Sequence, residues 1–363
     1  RKRPVFIIDD VIIVKDKESE NKIWKFNNGI IEVNLKNNKI KNSSILVTGG
    51  AGFIGSYLIE QLLKHSPKKI IIIDNLVRGS YDNMENFINN PVVEFIEGDV
   101  NDFKLLEKCI SESDFIYHMA ALRINACAAD PEKAFDTMVK VTFNIAELSR
   151  KYKIKKVIYS SSASIYGLAQ NFPTTESENP YDNQTFYGAA KMFGEQLFRS
   201  YKHMFGLDYI ALRYFNVFGP RMDTDAKYTE VMIKWLDCIA ENKNPSIHGD
   251  GSTTMDFVYV EDVARANVAA LLSDVTDESF NIGNCRETSL KELLEVMLKI
   301  NKCELKPVFI ESNIINPVGR RLADKNKAKK LLNFEPEVTL EDGLKNLSEW
   351  YFEKSKTSVK WSQ

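Results

Sequence analysis

At 363 residues, the chain is long enough for two domains or for one large α/β unit with an added lobe. Its 48 basic residues nearly balance its 50 acidic residues, so its charge does not favour a nucleic acid or an anionic membrane as partner. Five dispersed cysteines and four dispersed histidines argue against a disulfide framework and a metal centre. No apolar run approaches the ~20 residues that span a bilayer, and Asp9 and Asp10 break any signal-peptide pattern. We expect a soluble cytoplasmic protein.

Residues 1–44 precede the first nucleotide-binding signal and form a segment of unknown role. Val5–Val14 and Ile23–Leu35 have the composition of short strands, and Asn28-Gly29 between apolar flanks is typical of a hairpin turn. The first residue is Arg rather than Met, which leaves two interpretations. The segment is either a trimmed or upstream piece of chain, or an added β element that covers a sheet edge or mediates assembly.

A glycine-rich turn follows the first strongly apolar run. Ile45–Thr48 suits a buried strand, and the apolar residues after the turn recur with helical spacing. Gly50-x-Gly52-x-x-Gly55 satisfies the dinucleotide fingerprint, in which the first glycine makes the tight turn and the second admits the pyrophosphate. The third lets the helix pack on the strand, and the free N–H groups of the helix N-terminus suit phosphate.

An acidic residue ends the second predicted strand. Asp74 lies 19 residues after Gly55, where a carboxylate accepts hydrogen bonds from the ribose hydroxyls and repels a 2′-phosphate. We therefore predict NAD rather than NADP as the cofactor. Asp99, after the third strand, is either a partner of the adenine amino group or a solvated loop acid.

From Ile45 onward strands alternate with helices, which predicts an α/β fold with a Rossmann-type doubly wound parallel sheet. We predict an NAD-binding domain over 45–216 with a returning strand near 279–283, and a smaller C-terminal α/β lobe for the substrate over 217–278 and 285–350. The predicted strands of the sheet are Ile45–Thr48, Lys69–Asp74, Val92–Glu97, Phe115–His118, Lys156–Ser160, Tyr209–Tyr214 and Ser279–Ile282.

Three consecutive serines end one predicted strand, and a Tyr-x-x-x-Lys pair follows them. Tyr187 comes 25 residues after Ser162, and Lys191 shares its face of a helix. A phenol has an ordinary pKa of ~10, and lowering it to ~7 takes about 4 kcal/mol, which a nearby ammonium and a charged nicotinamide could supply. The pair Tyr152 and Lys156 has the same spacing but no serine cluster before it, so we interpret it as surface.

Six motifs in order give the chain a specific resemblance. They resemble the extended short-chain dehydrogenase/reductases, in particular the UDP-glucose 4-epimerase-like nucleotide-sugar epimerases and dehydratases, over about residues 44–350. The motifs are Thr48-Gly49-Gly50-Ala51-Gly52-Phe53-Ile54-Gly55, Asp74-Asn75-Leu76, His118-Met119-Ala120-Ala121, Ser160-Ser161-Ser162-Ala163-Ser164-Ile165-Tyr166-Gly167, Tyr187-x-x-x-Lys191 and Leu212-Arg213-Tyr214-Phe215-Asn216.

The resemblance implies catalysis by a transient oxidation. Tyr187 would take the proton of the sugar 4-hydroxyl, Lys191 would lower the pKa of Tyr187, and Ser162 would hydrogen-bond O4, while hydride passes to bound NAD. The implied cofactor-binding residues are Gly49, Gly52, Phe53, Ile54, Gly55, Asp74, Asn75, Asp99, Val100, Ala120, Ala121, Arg123, Ser160, Tyr187, Lys191, Tyr214 and Val217. The implied substrate-binding residues are Arg123, Ser162, Asn216, Arg221, Tyr228, Arg320 and Arg321.

One sequence detail separates the branches of the family, and another departs from the usual pattern of the family. Sugar 4,6-dehydratases resemble Thr-Asp-Glu where this chain has Ser162-Ala163-Ser164, so dehydration is disfavoured and epimerisation fits better. The family usually has Arg before Asp-Phe, but here Met255 precedes Asp256, so one expected phosphate contact is missing.

The leading hypothesis is an NAD-dependent 4-epimerase of UDP-sugars in surface polysaccharide synthesis, homodimeric through helices near 132–152 and 187–205. A keto-sugar reductase, or a sugar-acid decarboxylase using Arg123 against a carboxylate, is the alternative on the same scaffold. A non-catalytic NAD-binding regulator fits less well, because Ser162, Tyr187 and Lys191 are all present.

Overall fold

The computed structural model describes residues 5–8, 11–14, 22–27, 30–35, 38–224, 230–311 and 318–360, the backbone alone for 5–35 and 355–360. The first strands are β1 (Val5–Ile8), β2 (Val11–Val14), β3 (Lys22–Asn27) and β4 (Ile30–Leu35). They form an antiparallel sheet of their own in sequential order. Both predicted strand segments are therefore β structure, whereas the predicted turn Asn28-Gly29 lies outside the described residues.

The remaining strands and helices alternate along most of the chain. The strands are β5 (Ser44–Thr48), β6 (Lys69–Asp74), β7 (Val93–Glu97), β8 (Phe115–His118), β9 (Lys156–Ser162), β10 (Tyr209–Tyr214), β11 (Asn216–Phe218), β12 (Ser246–His248), β13 (Thr254–Tyr259), β14 (Glu278–Ile282), β15 (Glu287–Ser289) and β16 (Val308–Ile310). The α-helices are α1 (Phe53–Leu63), α2 (Phe103–Ser111), α3 (Ile124–Ala129), α4 (Pro131–Ala134), α5 (Val141–Tyr152), α6 (Phe186–Phe205), α7 (Val231–Ala240), α8 (Val260–Leu272), α9 (Leu290–Ile300), α10 (Asn326–Leu332) and α11 (Leu340–Lys360).

The central sheet has seven parallel strands in the order β14-β10-β9-β8-β5-β6-β7. All seven predicted strands are in it, so the Rossmann-type prediction is confirmed. In β6, Ile70–Ile73 are buried throughout, because helices cover both faces of the sheet and no alternation with polar residues is needed. The order reverses between β5 and β8, and ligands bind at such a switch point beyond the carboxyl ends of the strands.

Two hydrophobic cores lie on opposite faces of the sheet. One contains the apolar residues of α1 and α8, and the other those of α2, α5 and α6. Helices α8 and α10 fall within the range predicted for the substrate lobe, yet Val263, Leu271, Ala328 and Leu332 belong to the core of the sheet. In the sequence, the apolar residues of α8 and α10 have the same helical spacing whether they pack on the sheet or in the smaller lobe, so the pattern did not show which core they join.

A third core holds the smaller lobe together. It packs α7, α9 and α11 around Trp235, Leu293 and Leu344, beside a small mixed sheet of β11, β13 and β15. Strands β12 and β16 pair in parallel, and the Trp235 indole N–H donates to the Ser246 carbonyl at 2.8 Å. Within the described residues, no helix combines the length and hydropathy required to cross a bilayer.

Candidate active site

The loop between β5 and α1 is shaped by glycines. The left-handed turn falls at Gly49, with φ +75°, one residue before the predicted Gly50. Gly50 instead packs on the sheet, since an added Cβ would lie 2.7 Å from the Ile72 side chain. At Gly55 a Cβ would lie 2.4 Å from the Gly49 carbonyl oxygen, so only glycine lets α1 approach the loop this closely.

The start of α1 fits a phosphate group. Gly52 precedes the helix and offers no side chain to cap it, and the first turn contains no acidic residue. A Cβ on Gly52 would lie 3.2 Å from the Gly49 carbonyl oxygen and would crowd the loop between β5 and α1. The loop therefore presents backbone N–H groups and the positive end of the helix dipole to the adjoining cavity.

Two carboxylates stand at the ends of neighbouring strands. Asp74 is buried and accepts hydrogen bonds from the Ala51 amide at 3.0 Å and the Leu76 amide at 2.9 Å, and burial raises its pKa. Burial also acts to raise the pKa of Asp99, but hydrogen bonds from Asn101 and Asn75 hold it below its ordinary value. Both carboxylates line the cavity, where ribose hydroxyls and an adenine amino group could reach them.

Strand β9 and helix α6 bring the predicted catalytic residues together. Ser162 ends β9, Tyr187 lies in the first turn of α6, and both line the same cavity. The Lys191 ammonium, one turn further along α6, donates to the Ser160 carbonyl at 2.5 Å. It lies 5.7 Å from the ring centroid of Tyr187. Thr185 caps the helix by accepting from the Gly188 amide at 3.0 Å, which fixes where α6 begins.

Burial shifts the pKa values of both Tyr187 and Lys191. Burial raises the pKa of Tyr187, and the Ser162 hydrogen bond and then the charges of Arg321 and Arg78 oppose that rise. Burial lowers the pKa of Lys191 to about 8. The pKa of Tyr187 is thus raised, whereas Lys191 was predicted to lower it. Burial has the larger effect on this pKa, and the Lys191 ammonium donates its hydrogen bond to the Ser160 carbonyl and not to the phenol.

A buried ion pair that no sequence motif indicated anchors this helix to the sheet. Glu195, one turn after Lys191, accepts from the Arg213 guanidinium on β10 at 2.7 Å and from the Ser161 hydroxyl. Arg213 also donates to the Tyr166 hydroxyl at 2.8 Å. The spacing of four residues from Lys191 was the signal that could have revealed Glu195.

A cavity of about 820 Å³ connects the glycine loop with the smaller lobe. Every residue predicted to bind the cofactor lines it, as do the substrate candidates Ser162, Asn216, Arg221 and Arg321. Trp235, Ile247 and Met255 line the cavity from the smaller lobe. Its walls thus bring the cofactor candidates and the catalytic set into one space.

Among the remaining substrate candidates, Arg320 and Arg221 are held by carboxylates of the protein, and the structure does not test Tyr228. Arg320 lies outside the cavity, donates to both oxygens of Glu287 at 2.7 and 2.8 Å, and stacks 4.4 Å above the ring of Phe172. Arg221 reaches the cavity, but its guanidinium donates to Glu60 on α1 at 2.6 Å. Tyr228 lies outside the described residues.

Arg78 is a cavity residue that the sequence motifs did not identify. It follows β6 and its Nε lies 3.4 Å from Asp223 of the opposite wall. Burial lowers its pKa, and Arg123 acts in the same direction. Its place in the loop directly after Asp74 and Asn75 was the available signal, because loops at the carboxyl ends of strands form the site in such sheets.

Taken together, the glycine loop, the strand-end carboxylates and the Ser-Tyr-Lys set define a nucleotide-dependent enzyme of the short-chain dehydrogenase/reductase type. The sequence profile of the NAD dependent epimerase/dehydratase family matches residues 45–283. The chain belongs to this family, and its cofactor is NAD.

Similar proteins include epimerases and decarboxylases. The structure of UDP-glucose 4-epimerase with UDP-glucose from Thermotoga maritima has a TM-score of 0.80 and 32% identity, covering 86% of this chain and 99% of that one. The Bacillus cereus UDP-glucuronic acid 4-epimerase in complex with UDP-glucuronic acid and NAD has a TM-score of 0.79 and 30% identity, covering 86% and 99%. UDP-glucuronic acid decarboxylase 6 of Arabidopsis thaliana is 31% identical over 328 residues, 87% of this chain and 91% of that protein.

Proposed function

We propose that this protein is an NAD-dependent nucleotide-sugar 4-epimerase, acting on a UDP-sugar. The observation that carries the proposal is that Ser162, Tyr187 and Lys191 lie together in the wall of the cavity that the glycine loop also lines, with the Lys191 ammonium 5.7 Å from the centroid of the Tyr187 ring. The UDP-sugar 4-epimerases among the similar structures support the same reaction.

The residues of the set divide the chemistry between them. Tyr187 removes the proton of the sugar 4-hydroxyl and later returns it, as a general base and then a general acid. Ser162 holds the same oxygen through its hydroxyl. Lys191 keeps α6 against β9 through the Ser160 carbonyl and provides the positive charge beside the phenol.

The glycine loop, the start of α1 and the Asp74 carboxylate together fit NAD. Gly49, Gly52 and the first turn of α1 would hold its pyrophosphate, and Asp74 its adenosine ribose. When bound, NAD accepts a hydride from C4 of the sugar and gives it back, so the overall reaction involves no net oxidation.

The residues after Ser162 favour epimerisation over loss of water. Ala163–Tyr166 form a short helical turn, and Ser164 contributes a hydroxyl to the cavity. An acid and base pair of the kind that eliminates water from C5 and C6 would need carboxyl groups at these positions. Hydroxyl groups do not supply that chemistry.

The proposal extends to the substrate lobe and the assembly. Residues 217–278 and 285–350 would bind the nucleotide sugar, with Asn216 near its diphosphate. Phe143 on α5 and Phe193 on α6 are 46% and 37% exposed, which supports a homodimer through these helices. A cytoplasmic role in polysaccharide synthesis completes the proposal.

Replacing the phenol tests the proposed chemistry. Tyr187→Phe removes the proton-transferring hydroxyl, so we expect kcat for UDP-sugar epimerisation to fall by roughly 10²- to 10⁴-fold while bound NAD is retained. The measurement is the initial rate alongside the NAD content of the purified protein.

The chain supplies a matched control in its second Tyr-x-x-x-Lys pair. The Tyr152 hydroxyl donates to Glu107 at 3.0 Å, away from the cavity, and the Lys156 ammonium donates to the Ala270 carbonyl at 2.9 Å. Lys156 is buried, not on the surface as predicted. Tyr152→Phe should keep the wild-type rate, whereas equal rates for Tyr187→Phe and wild type would rule out the mechanism.

A further inference from the structure

Arg321 differs from the other arginines of the cavity. Arg78, Arg123 and Arg221 each have a carboxylate partner, namely Asp223, Glu230 and Glu60. In the described part of the chain, Arg321 has no carboxylate within salt-bridge distance. Its Nη1 lies 3.5 Å from the Ser164 hydroxyl oxygen.

The surroundings of Arg321 make an unpaired charge costly. The side chain is half-buried in the cavity wall, and burial lowers its pKa to about 10. A guanidinium that has lost water without gaining a carboxylate is destabilising, and the protein can offset that cost when a ligand supplies the anion. The planar fork of arginine matches a carboxylate or a phosphate.

The position of Arg321 distinguishes between these two anions. Ser164 follows Ser162 by two residues, so Arg321 stands at the reacting end of the cavity, where its charge also acts on Tyr187. In a hexopyranose the diphosphate is attached at C1 and the reacting hydroxyl at C4, on opposite sides of the ring. A side chain next to the C4 hydroxyl therefore faces the substituent of C5 more closely than the diphosphate.

Resting on the proposed function, we infer that the sugar of the substrate is a hexuronic acid whose C5 carboxylate binds Arg321. The carboxylate supplies the anion that the described residues do not, and the Ser164 hydroxyl can donate to it. The inference gives Arg321, one of the predicted substrate-binding residues, a role in choosing between acidic and neutral sugars.

Equilibrium binding to a turnover-deficient protein tests this inference directly. In the Tyr187→Phe holoenzyme, titration calorimetry compares UDP-glucuronic acid with UDP-glucose, which share the nucleoside and the diphosphate and differ at C5. We expect UDP-glucuronic acid to bind roughly 10- to 100-fold more tightly, the range for a charge-assisted hydrogen bond. Adding Arg321→Gln should abolish this ratio, whereas Arg320→Gln, the matched control outside the cavity, should preserve it.

The alternative outcomes separate the two claims. If Arg321→Gln weakens both ligands equally, the guanidinium binds the diphosphate and the inference is overturned, while the proposed function stands. Tighter binding of UDP-glucose by the Tyr187→Phe protein would overturn it in the same way. Binding of neither ligand would overturn the proposed function itself.

Discussion

At the scale of single residues, His118 shows how the core next to the site is specified. Its Nδ1 lies 3.1 Å from the Thr48 hydroxyl and its Nε2 lies 3.0 Å from the Thr142 hydroxyl. Burial, and then the charge of Lys191, lowers its pKa to about 3. The imidazole is therefore neutral at physiological pH and acts as a structural hydrogen-bonding group at the end of β8.

This neutral histidine predicts a pH dependence of stability. Below its ordinary pKa of 6.5, the unfolded chain binds a proton that folded His118 does not bind until pH approaches 3, so stability falls as pH falls. Between pH 7 and pH 5 we expect His118 to account for a loss of about 2 kcal/mol. Urea unfolding of wild type and His118→Gln at both pH values measures it, and the variant should lose correspondingly less. If wild type and His118→Gln lost the same unfolding free energy between pH 7 and pH 5, His118 would not be the cause of the pH dependence.

The sequence did not predict which of the two adjacent arginines, Arg320 or Arg321, faces the cavity. Arg320 and Arg321 looked equivalent in the sequence, but the chain there is extended, with bridges from Arg320 to Thr254 and from Ala323 to Thr174. Successive side chains of an extended segment point to opposite faces, so only Arg321 enters the cavity. No local pattern reveals which of two adjacent arginines faces a site that forms between distant segments.

At the scale of secondary-structure elements, the seven strands of the sheet were predictable because each is a short apolar run that ends in a polar or small residue. The catalytic Ser-Tyr-Lys set and the cofactor loop were predictable for a related reason, since their chemistry requires fixed spacings on one strand and one helix. The assignment of α8 and α10 to a core was not predictable, because burial on the sheet and burial in the lobe give the same helical pattern.

The contact between the glycine loop and α1 gives a prediction at this scale. Gly55→Ala places a methyl group 2.4 Å from the Gly49 carbonyl oxygen, and this backbone atom has little room to move. We expect a loss of about 2 kcal/mol or more in unfolding free energy, together with loss of NAD from the purified protein. Thermal unfolding and NAD content measure the two effects.

Gly319 provides the control for that substitution. A Cβ there meets nothing within 4 Å, and Gly319 is not among the described glycines with positive φ. Gly319→Ala should change stability by less than about 0.5 kcal/mol. If Gly55→Ala and Gly319→Ala changed stability and NAD content equally, the close packing of α1 on the loop would not be the reason for glycine at position 55.

At the scale of the whole molecule, the cavity is lined both by the carboxyl edge of the sheet and by residues of the third core, among them Trp235 and Ile247. Ion pairs join the two walls of the cavity, Arg78 with Asp223 and Arg221 with Glu60. The sequence analysis predicted a smaller lobe over 217–278 and 285–350, but not these contacts across the cavity. They depend on long-range geometry that periodicity and motif spacing do not encode.

The most direct test of the account is proton NMR of the purified protein with UDP-glucuronic acid or UDP-glucose and no added cofactor. We expect a second set of sugar signals that grows to a fixed ratio, with the H4 coupling switched between axial and equatorial patterns. That result would show epimerisation at C4 with bound NAD recycled. Formation of a pentose, or no change until reduced cofactor is added, would contradict it in favour of a decarboxylase or a reductase.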